Sequence, residues 1–261
     1  MRSASEVDFV RSGPVARITI ARPLKRNAIS LRTAAEIGAA MRRAESDPAI
    51  RVVVLTGAGE RAFAAGADLD ELPRVMDTPQ TAAAYDARIG ALYDALQESR
   101  LPTIARIQAA AIGGGCLLAL ACDLRVASER ATFSLPAARI GLMLSAHELE
   151  LVLAQVTTAR AKLLLFGGRR LSAREAVEWG LADVLASAES LDPQVNEIAL
   201  EIAANAPRAV SAAKRMLRAI ARGKGVAATS QAAYRAIYGS EDLREGLAAI
   251  KARRRPVFRG R

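Results

Sequence analysis

Between Val7 and Ile20 two β-rich stretches flank Ser12-Gly13-Pro14, which predicts a hairpin opening the fold, and Arg22-Pro23 stops its second strand. Helical spacing follows from Ser30 to Ala44, with Leu31, Ala34, Ala35, Ile37 and Met41 recurring at three and four positions. After Asp47-Pro48 the run from Ile50 to Leu55 is apolar and β-branched and reads as a buried strand ending at Thr56-Gly57. A small-residue loop over Ala58 to Asp68 leads into mainly helical sequence as far as Ser99. Pro102 then introduces a third strand candidate, Thr103 to Gln108. Gly113-Gly114-Gly115 precedes a buried helix from Cys116 to Cys122, and Leu124 to Ala127 and Thr132 to Leu135 add two short strands. The first half therefore alternates strand and helix as a parallel α/β core does. From Ser145 onward nearly all of the sequence carries the helical period, in stretches 146–156, 159–166, 172–179, 193–205, 208–222, 226–238 and 241–251. The expected organisation is an α/β core over residues 1–185 followed by a helical C-terminal region, 186–261, that packs on a neighbouring subunit.

Composition narrows the class. With 261 residues, 51% hydrophobic and 25% charged, the chain can bury a full core, which excludes disorder or a collagen-like architecture as overall descriptions. Two cysteines, Cys116 and Cys122, cannot staple a fold of this size and read as reduced thiols. The longest apolar stretch, Ala109 to Ala121, is broken by the three glycines and is too short to cross a bilayer. No targeting segment is evident, so the expected location is the cytoplasm. The net charge of +10 favours an anionic partner: phosphate, nucleic acid or a membrane surface. An aromatic content of 4% suits base stacking poorly and argues against nucleic acid.

Several chemistries are ruled out by spacing. The triple glycine lacks the third glycine of a dinucleotide fingerprint, since Leu118 stands there. His147 is the only histidine, so a zinc-protease pair or any histidine-based metal cluster is impossible and no metal site is expected. Ser211-Ala212-Ala213-Lys214 has the Ser-x-x-Lys spacing of acyl-enzymes without their other motifs and reads as a solvent-facing helix pattern. Two small-residue turns remain, Ala62-Phe63-Ala64-Ala65-Gly66-Ala67-Asp68 and Ala111-Ile112-Gly113-Gly114-Gly115-Cys116. Each follows a strand candidate and precedes a helix. Their backbone N–H groups, helped by a helix N-terminus, could bind a developing oxyanion such as a thioester enolate; equally, both could be tight strand-to-helix turns and nothing more.

These turns, together with Arg22-Pro23, Asn27-Ala28, Ala121-Cys122-Asp123, Trp179-Gly180-Leu181 and Ser240 to Gly246, resemble the crotonase superfamily of enoyl-CoA hydratases and isomerases over nearly the whole chain. The resemblance implies an α/β crotonase-like fold of repeated βαβ and ββα units with a C-terminal trimerisation region, assembled as a homotrimer or homohexamer. It implies an acyl-CoA substrate whose CoA is part of the substrate, with no separate cofactor. It also implies a thioester carbonyl held by the amides of Ala65 and Gly114. By the same resemblance Lys25 and Arg26 would meet CoA phosphates, and Ala67, Asp68 and Leu69 would line the CoA channel.

The family's hydratases carry one glutamate directly after Gly-Gly-Gly-Cys and another after a Phe-x-x-Pro segment. Here those positions hold Leu117 and Ala137, which make the acyl pocket more apolar and predict slow hydration, because each general acid or base contributes about 10²–10⁴-fold. Candidate substitutes lie in Leu144 to Glu150. Ser145 aligns with the position where dienoyl-CoA isomerases and a dehalogenase branch carry an aspartate, and His147 and Glu148 are possible acid or base groups. Ser145-x-x-Glu148 also reads as a helix capping box. Asp68, Asp70 and Glu71 are further nearby acids, and Tyr85 or Tyr93 could face the acyl channel. The expected function is that of a lyase or isomerase acting through a thioester enolate; the alternatives are a noncatalytic acyl-CoA binder or an RNA-binding family member.

Overall fold

The computed structural model describes residues 5–223 and 226–261. Its strands, in chain order, are β1 (Val7–Ser12), β2 (Val15–Ile20), β3 (Val52–Gly57), β4 (Ala62–Ala64), β5 (Thr103–Ile107), β6 (Ala110–Ile112), β7 (Leu124–Ser128), β8 (Thr132–Ser134), β9 (Arg170–Ser172) and β10 (Val184–Ala186). The helices are α1 (Leu31–Ser46), α2 (Leu72–Val75), α3 (Pro79–Gln97), α4 (Gly114–Ala121), α5 (Ala146–Leu153), α6 (Thr158–Gly167), α7 (Ala173–Trp179), α8 (Leu191–Ala203), α9 (Pro207–Ala221), α10 (Ala227–Ile237) and α11 (Glu241–Lys251).

The hairpin forms as expected, antiparallel with Ser12 opposite Val15 and Gly13 supplying the positive φ its turn requires. Beside it run β3, β5, β7 and β10, all parallel, in the order β1-β2-β3-β5-β7-β10. Every residue of β3 is buried, and the two-residue period sorts them into two cores. Val53 and Leu55 face the main core shared with Ile37 and Met41 of α1 and Leu92 and Leu96 of α3. Val52 and Val54 join Ile104 and Val126 under Leu191, Val195 and Ala199 of α8. A division at residue 185 would therefore part the sheet from the helix that seals its second face.

Of a second sheet, β4-β6-β8-β9, only β8 was expected as a strand. Residues 58–68 contain β4, and β6 sits just before the glycines; β9 and β10 fall inside the half read as helical. These strands have three residues each, too few to show a period, and Ala62 and Ala64 of β4 and Ala110 and Ala111 of β6 lack the β-branched character that marks a strand. The chain repeats one unit: a strand in the large sheet, a short strand in the small sheet, then a helix. β3, β4 and α2 form one copy and β5, β6 and α4 the next, so the turns that leave β4 and β6 emerge side by side.

The Ser-x-x-Lys pattern is not solvent-facing. Ser211 is buried, and Lys214 Nζ lies 2.8 Å from Asp123 Oδ2 while donating to the carbonyls of Leu96 and Leu101 at 2.8 and 2.9 Å. The spacing of apolar residues on α9 could not reveal this, because the cation is buried by partners more than ninety positions away. Among the described residues, no helix is long and apolar enough to cross a membrane.

Candidate active site

β4 and β6 are parallel neighbours, with Ala62 opposite Ala110 and Ala64 opposite Ala111, and the turns that follow touch backbone to backbone. A Cβ on Gly115 would lie 2.1 Å from Ala64 O, so only glycine permits this approach. Gly66, at φ +100°, would place a Cβ 2.9 Å from Ile112 O and 3.4 Å from the Gly114 nitrogen. The alanines and glycines of both motifs thus serve one end, bringing two turns within reach of a single small ligand atom.

The amides are divided between structure and availability. Gly113 N donates to Ser134 O at 2.8 Å, Asp68 N to Ile29 O at 3.0 Å, and Gly66 O accepts from Ile29 N at 2.7 Å. Ala65 N donates to Arg26 O at 3.0 Å. The expectation that Ala65 supplies an oxyanion donor is therefore corrected: its hydrogen is spent inside the fold. Two residues on, the Ala67 amide has no acceptor among the described residues, nor does that of Gly114, the first residue of α4. The Ala67 nitrogen lies 3.6 Å from the point a Cβ would take on Gly114. Two free N–H groups, one at the positive end of a helix, are thus adjacent, an arrangement suited to an oxygen acquiring negative charge. Sequence alone offered no means of choosing between Ala65 and Ala67, because the choice depends on which amide the Arg26 carbonyl captures.

The loop below this pair is tied by charge. Asp68 is buried; burial by itself would raise its carboxyl pKa, but hydrogen bonds from Arg22, the Asp70 amide and Lys25 hold it below the ordinary value. Arg22 also reaches Glu6 at 3.4 Å, and Lys25 is paired with Asp68 at 3.2 Å and Asp70 at 2.7 Å. Lys25 is thus already engaged, whereas Arg26 is exposed and carries no ion pair among the described residues. Leu69 is exposed as well. Asn27 and Gln108 hold the crossing from β3 to β4: the Asn27 amide donates to Ala58 O and Ala62 O, and that of Gln108 to Gly57 O, Gly59 O and Ala62 O. Gln108 carried no signal in the sequence.

Leu117 is buried in α4, and Ala137 opens a short 3-10 turn ending at Ile140, so no acid stands at either position. A candidate replacement comes from α5, which packs on α4. Ser145 caps α5 in a full capping box, its Oγ accepting from Glu148 N at 3.4 Å while Glu148 Oε2 accepts from Ser145 N at 2.9 Å. Glu148 Oε1 also lies 3.5 Å from the Tyr93 hydroxyl. Burial pushes the Glu148 carboxyl above its ordinary pKa, only partly opposed by the Ser145 hydrogen bonds. Tyr93 is buried and kept protonated chiefly by desolvation, with the Glu148 carboxylate adding to it. The Cys116 thiol, wholly buried, is pushed up to about 12, so it is no nucleophile. His147 turns elsewhere. Its Nε2 lies 3.5 Å from Gln97 Oε1 and 3.8 Å from Asp94 Oδ1, groups that Arg222, just past the end of α9, and Arg218 of α9 also engage. The cap and the candidate acid are therefore one device, and the histidine belongs to the joint between α3, α5 and α9.

Comparison with known proteins gives one answer. The family model for enoyl-CoA hydratase/isomerase matches residues 11–261. The chain is 37% identical over 259 residues to a carnitinyl-CoA dehydratase of Proteus mirabilis, covering 95% of this chain and 96% of that protein. It is 31% identical to an enoyl-CoA hydratase of Bacillus anthracis whose crystal structure superposes with a TM-score of 0.91 over 98% of this chain and 100% of the other. A crystal structure described as an enoyl-CoA hydratase/carnithine racemase from Magnetospirillum magneticum superposes with a TM-score of 0.93 at 32% identity, covering 98% and 96% of the two chains.

Proposed function

Because the chain belongs to the enoyl-CoA hydratase/isomerase family, the crotonase superfamily, and is a lyase or isomerase by that kinship, we propose that it forms the enolate of an acyl-CoA thioester between the amides of Ala67 and Gly114. The observation that carries the reading is the pair of uncommitted amides, adjacent at the N-terminus of α4. Glu148 is the proton carrier in this reading. Its ionised carboxylate takes the proton from the carbon next to the thioester, and the electron pair of that bond moves onto the carbonyl oxygen, where the two N–H groups hold it. The enolate then collapses either by recovering the proton two carbons away or by expelling a substituent. A depressed pKa would weaken the base, so the upward push that burial gives Glu148 serves the task.

With Leu117 and Ala137 at the two glutamate positions, ordinary hydration of crotonyl-CoA is slow. CoA enters as part of the substrate and no separate cofactor is invoked. Arg26, with its guanidinium unpaired among the described residues, is the better candidate for a CoA phosphate; Lys25 would have to surrender Asp68 and Asp70. Exposed Leu217, Ile220, Tyr234, Tyr238, Leu247 and Ile250 on α9, α10 and α11 support assembly into a homotrimer or homohexamer through the C-terminal helices, which light scattering would read as a mass three or six times that of the chain.

The deciding experiment incubates saturated acyl-CoAs with the enzyme in D₂O and follows mass gain at the thioester α-carbon. Exchange by the wild type, lost in Glu148→Gln while calorimetry still detects binding, is the expected result. Binding without exchange for every acyl-CoA tried would instead make the protein a noncatalytic acyl-CoA binder, the reading that the apolar Leu117 and Ala137 favour.

A further inference from the structure

Tyr85, Ile89 and Tyr93 follow one another at four-residue intervals on α3 and are all buried, so they lie along one face of the helix. The hydroxyl of Tyr93 is taken up by Glu148. That of Tyr85 is not. The residue is only 8% exposed, yet its hydroxyl has no hydrogen-bond partner among the described residues. Nor is that oxygen sealed away, because the fully enclosed, unpartnered side-chain atoms among the described residues belong to Arg51, Arg125 and Arg218. A phenol held almost wholly inside the protein, unpaired but still open to entry, is a donor awaiting an acceptor.

Its surroundings say which acceptor. Tyr85 shares its face of α3 with Tyr93, which meets the proton carrier Glu148 of α5, and α3 packs on α2, which follows the Ala67 turn, and on α4, which begins at Gly114; the carboxylates of Glu148, Glu71, Asp86 and Asp68 are the charges that act on its hydroxyl. Asp68 is neutralised by Arg22 and Lys25, and Glu71 accepts from the Leu31 amide at 2.9 Å. Asp86 is exposed to solvent, and Val75, Ile89 and Leu117 belong to the same core as Tyr85. Desolvation, with these carboxylates behind it, raises the Tyr85 pKa beyond the ordinary phenol range. The group therefore stays an O–H donor and does not move a proton.

We propose that Tyr85 selects the acyl group, donating a hydrogen bond to an uncharged oxygen carried on the acyl chain, so that hydroxyacyl- and oxoacyl-CoAs are preferred to plain hydrocarbon ones. The carboxylates around it disfavour acyl chains that end in a carboxylate. This inference rests on the reading that a thioester sits at Ala67 and Gly114, since it is the bound thioester that would bring the acyl chain under α3. A pocket that hydrogen-bonds a substrate oxygen discriminates strongly against the analogue lacking it, because the pocket's own donor is then left unpaired.

The test compares binding of 3-hydroxybutyryl-CoA, 3-oxobutyryl-CoA, succinyl-CoA and butyryl-CoA to the full-length wild type and to Tyr85→Phe by calorimetry. The wild type should bind the two oxygenated ligands at least about tenfold more tightly than butyryl-CoA, with succinyl-CoA weakest. Tyr85→Phe should lose that preference while keeping its affinity for butyryl-CoA. A wild type without the preference, or a variant that retains it, would overturn the proposal, as would an equal loss for all four ligands, which marks a purely structural role. In each of these cases acyl-CoA binding itself persists, so the oxyanion reading stands; failure of the wild type to bind any of the four would overturn both.

Discussion

Removal of one N–H at the oxyanion pair can be separated from damage to the fold, because the structure gives adjacent glycines opposite sensitivities. Gly114 is the first residue of α4, where the backbone N–H has no partner inside the helix and proline is well accepted. Gly113 before it has φ 53° and ψ −124°, the mirror image of the extended conformation that proline imposes on its predecessor, which glycine adopts freely. A Cβ at position 114 meets nothing nearer than Ala67 N at 3.6 Å. Gly114→Pro should therefore fold, with stability within about 1 kcal/mol of wild type, while replacing one of the two donors by a methylene. Loss of such a donor costs about 10²–10³ in rate, or about 2.7–4 kcal/mol of transition-state stabilisation. At the next position Gly115→Ala drives a methyl to 2.1 Å from Ala64 O and 2.6 Å from Ala64 C. Backbone must move, so destabilisation of about 3 kcal/mol is expected. Thermal unfolding followed by circular dichroism, run beside α-carbon exchange in D₂O, reads both effects. A folded Gly114→Pro with wild-type exchange would refute the assignment of Gly114 as donor, and a Gly115→Ala as stable as wild type would refute the close approach of the two turns.

Three further outcomes are expected. Exchange should rise with pH along a limb set by Glu148, which must be ionised to act as base; burial raises its pKa, so the limb lies above the ordinary carboxylate value, and Glu148→Gln should abolish it with a rate loss of about 10²–10⁴. Asp68 has the opposite sign. Its folded pKa is depressed, so its pairing with Arg22 stabilises the protein above the unfolded carboxylate pKa and that contribution is lost as pH falls through the lower folded value; Asp68→Asn should cost about 3 kcal/mol at neutral pH in chemical denaturation, and less in acid. Lys214→Met should destabilise by about 3 kcal/mol in the same assay, since it leaves Asp123 and the carbonyls of Leu96 and Leu101 without their cation, whereas a solvent-facing lysine would give almost no change.

How far the sequence was legible follows from the length of each signal. The hairpin, α1 and the parallel strands β3 and β5 were visible because five to sixteen residues suffice to display a period, and Ser30 and Ser145 marked helix starts that their caps bear out. Of the small sheet only β8 was legible; β4, β6 and β9 were hidden because each is three residues long and two of them are alanine-rich. At the site, the small-residue turns announced a close backbone approach, but not which amide would stay free. That is decided by the Arg26 carbonyl, nearly forty residues from the Ala65 amide it captures. Likewise His147 and Glu148 are neighbours in sequence and equal as candidates on paper. A helix turns successive side chains about 100° apart, and here that rotation sends one toward Gln97 and the other into the core beside Tyr93.

The cause of the Glu148 shift bears on the kind of reaction proposed. Where two carboxylates crowd one site, mutual repulsion raises the pKa of one and leaves the other ionised, and the pair can work together on a water and a carbon. Here desolvation is the first cause of the upward shift, and the acid that adds to it, Asp86, acts from a distance as the weaker influence. With leucine and alanine at the other two positions, the proposed site combines one proton carrier with one oxyanion pair. Such a site can lift a proton from one carbon and return it to another, or let a leaving group depart while the base keeps the proton. It cannot activate a water with one carboxylate while protonating carbon with a second. On the proposed reading the chemistry therefore falls on the side of isomerisation, or of eliminating a group that leaves without needing a proton, since loss of water is the reverse of hydration and needs the same groups; the selectivity ascribed to Tyr85 makes an oxygenated acyl chain the substrate on which to look for either.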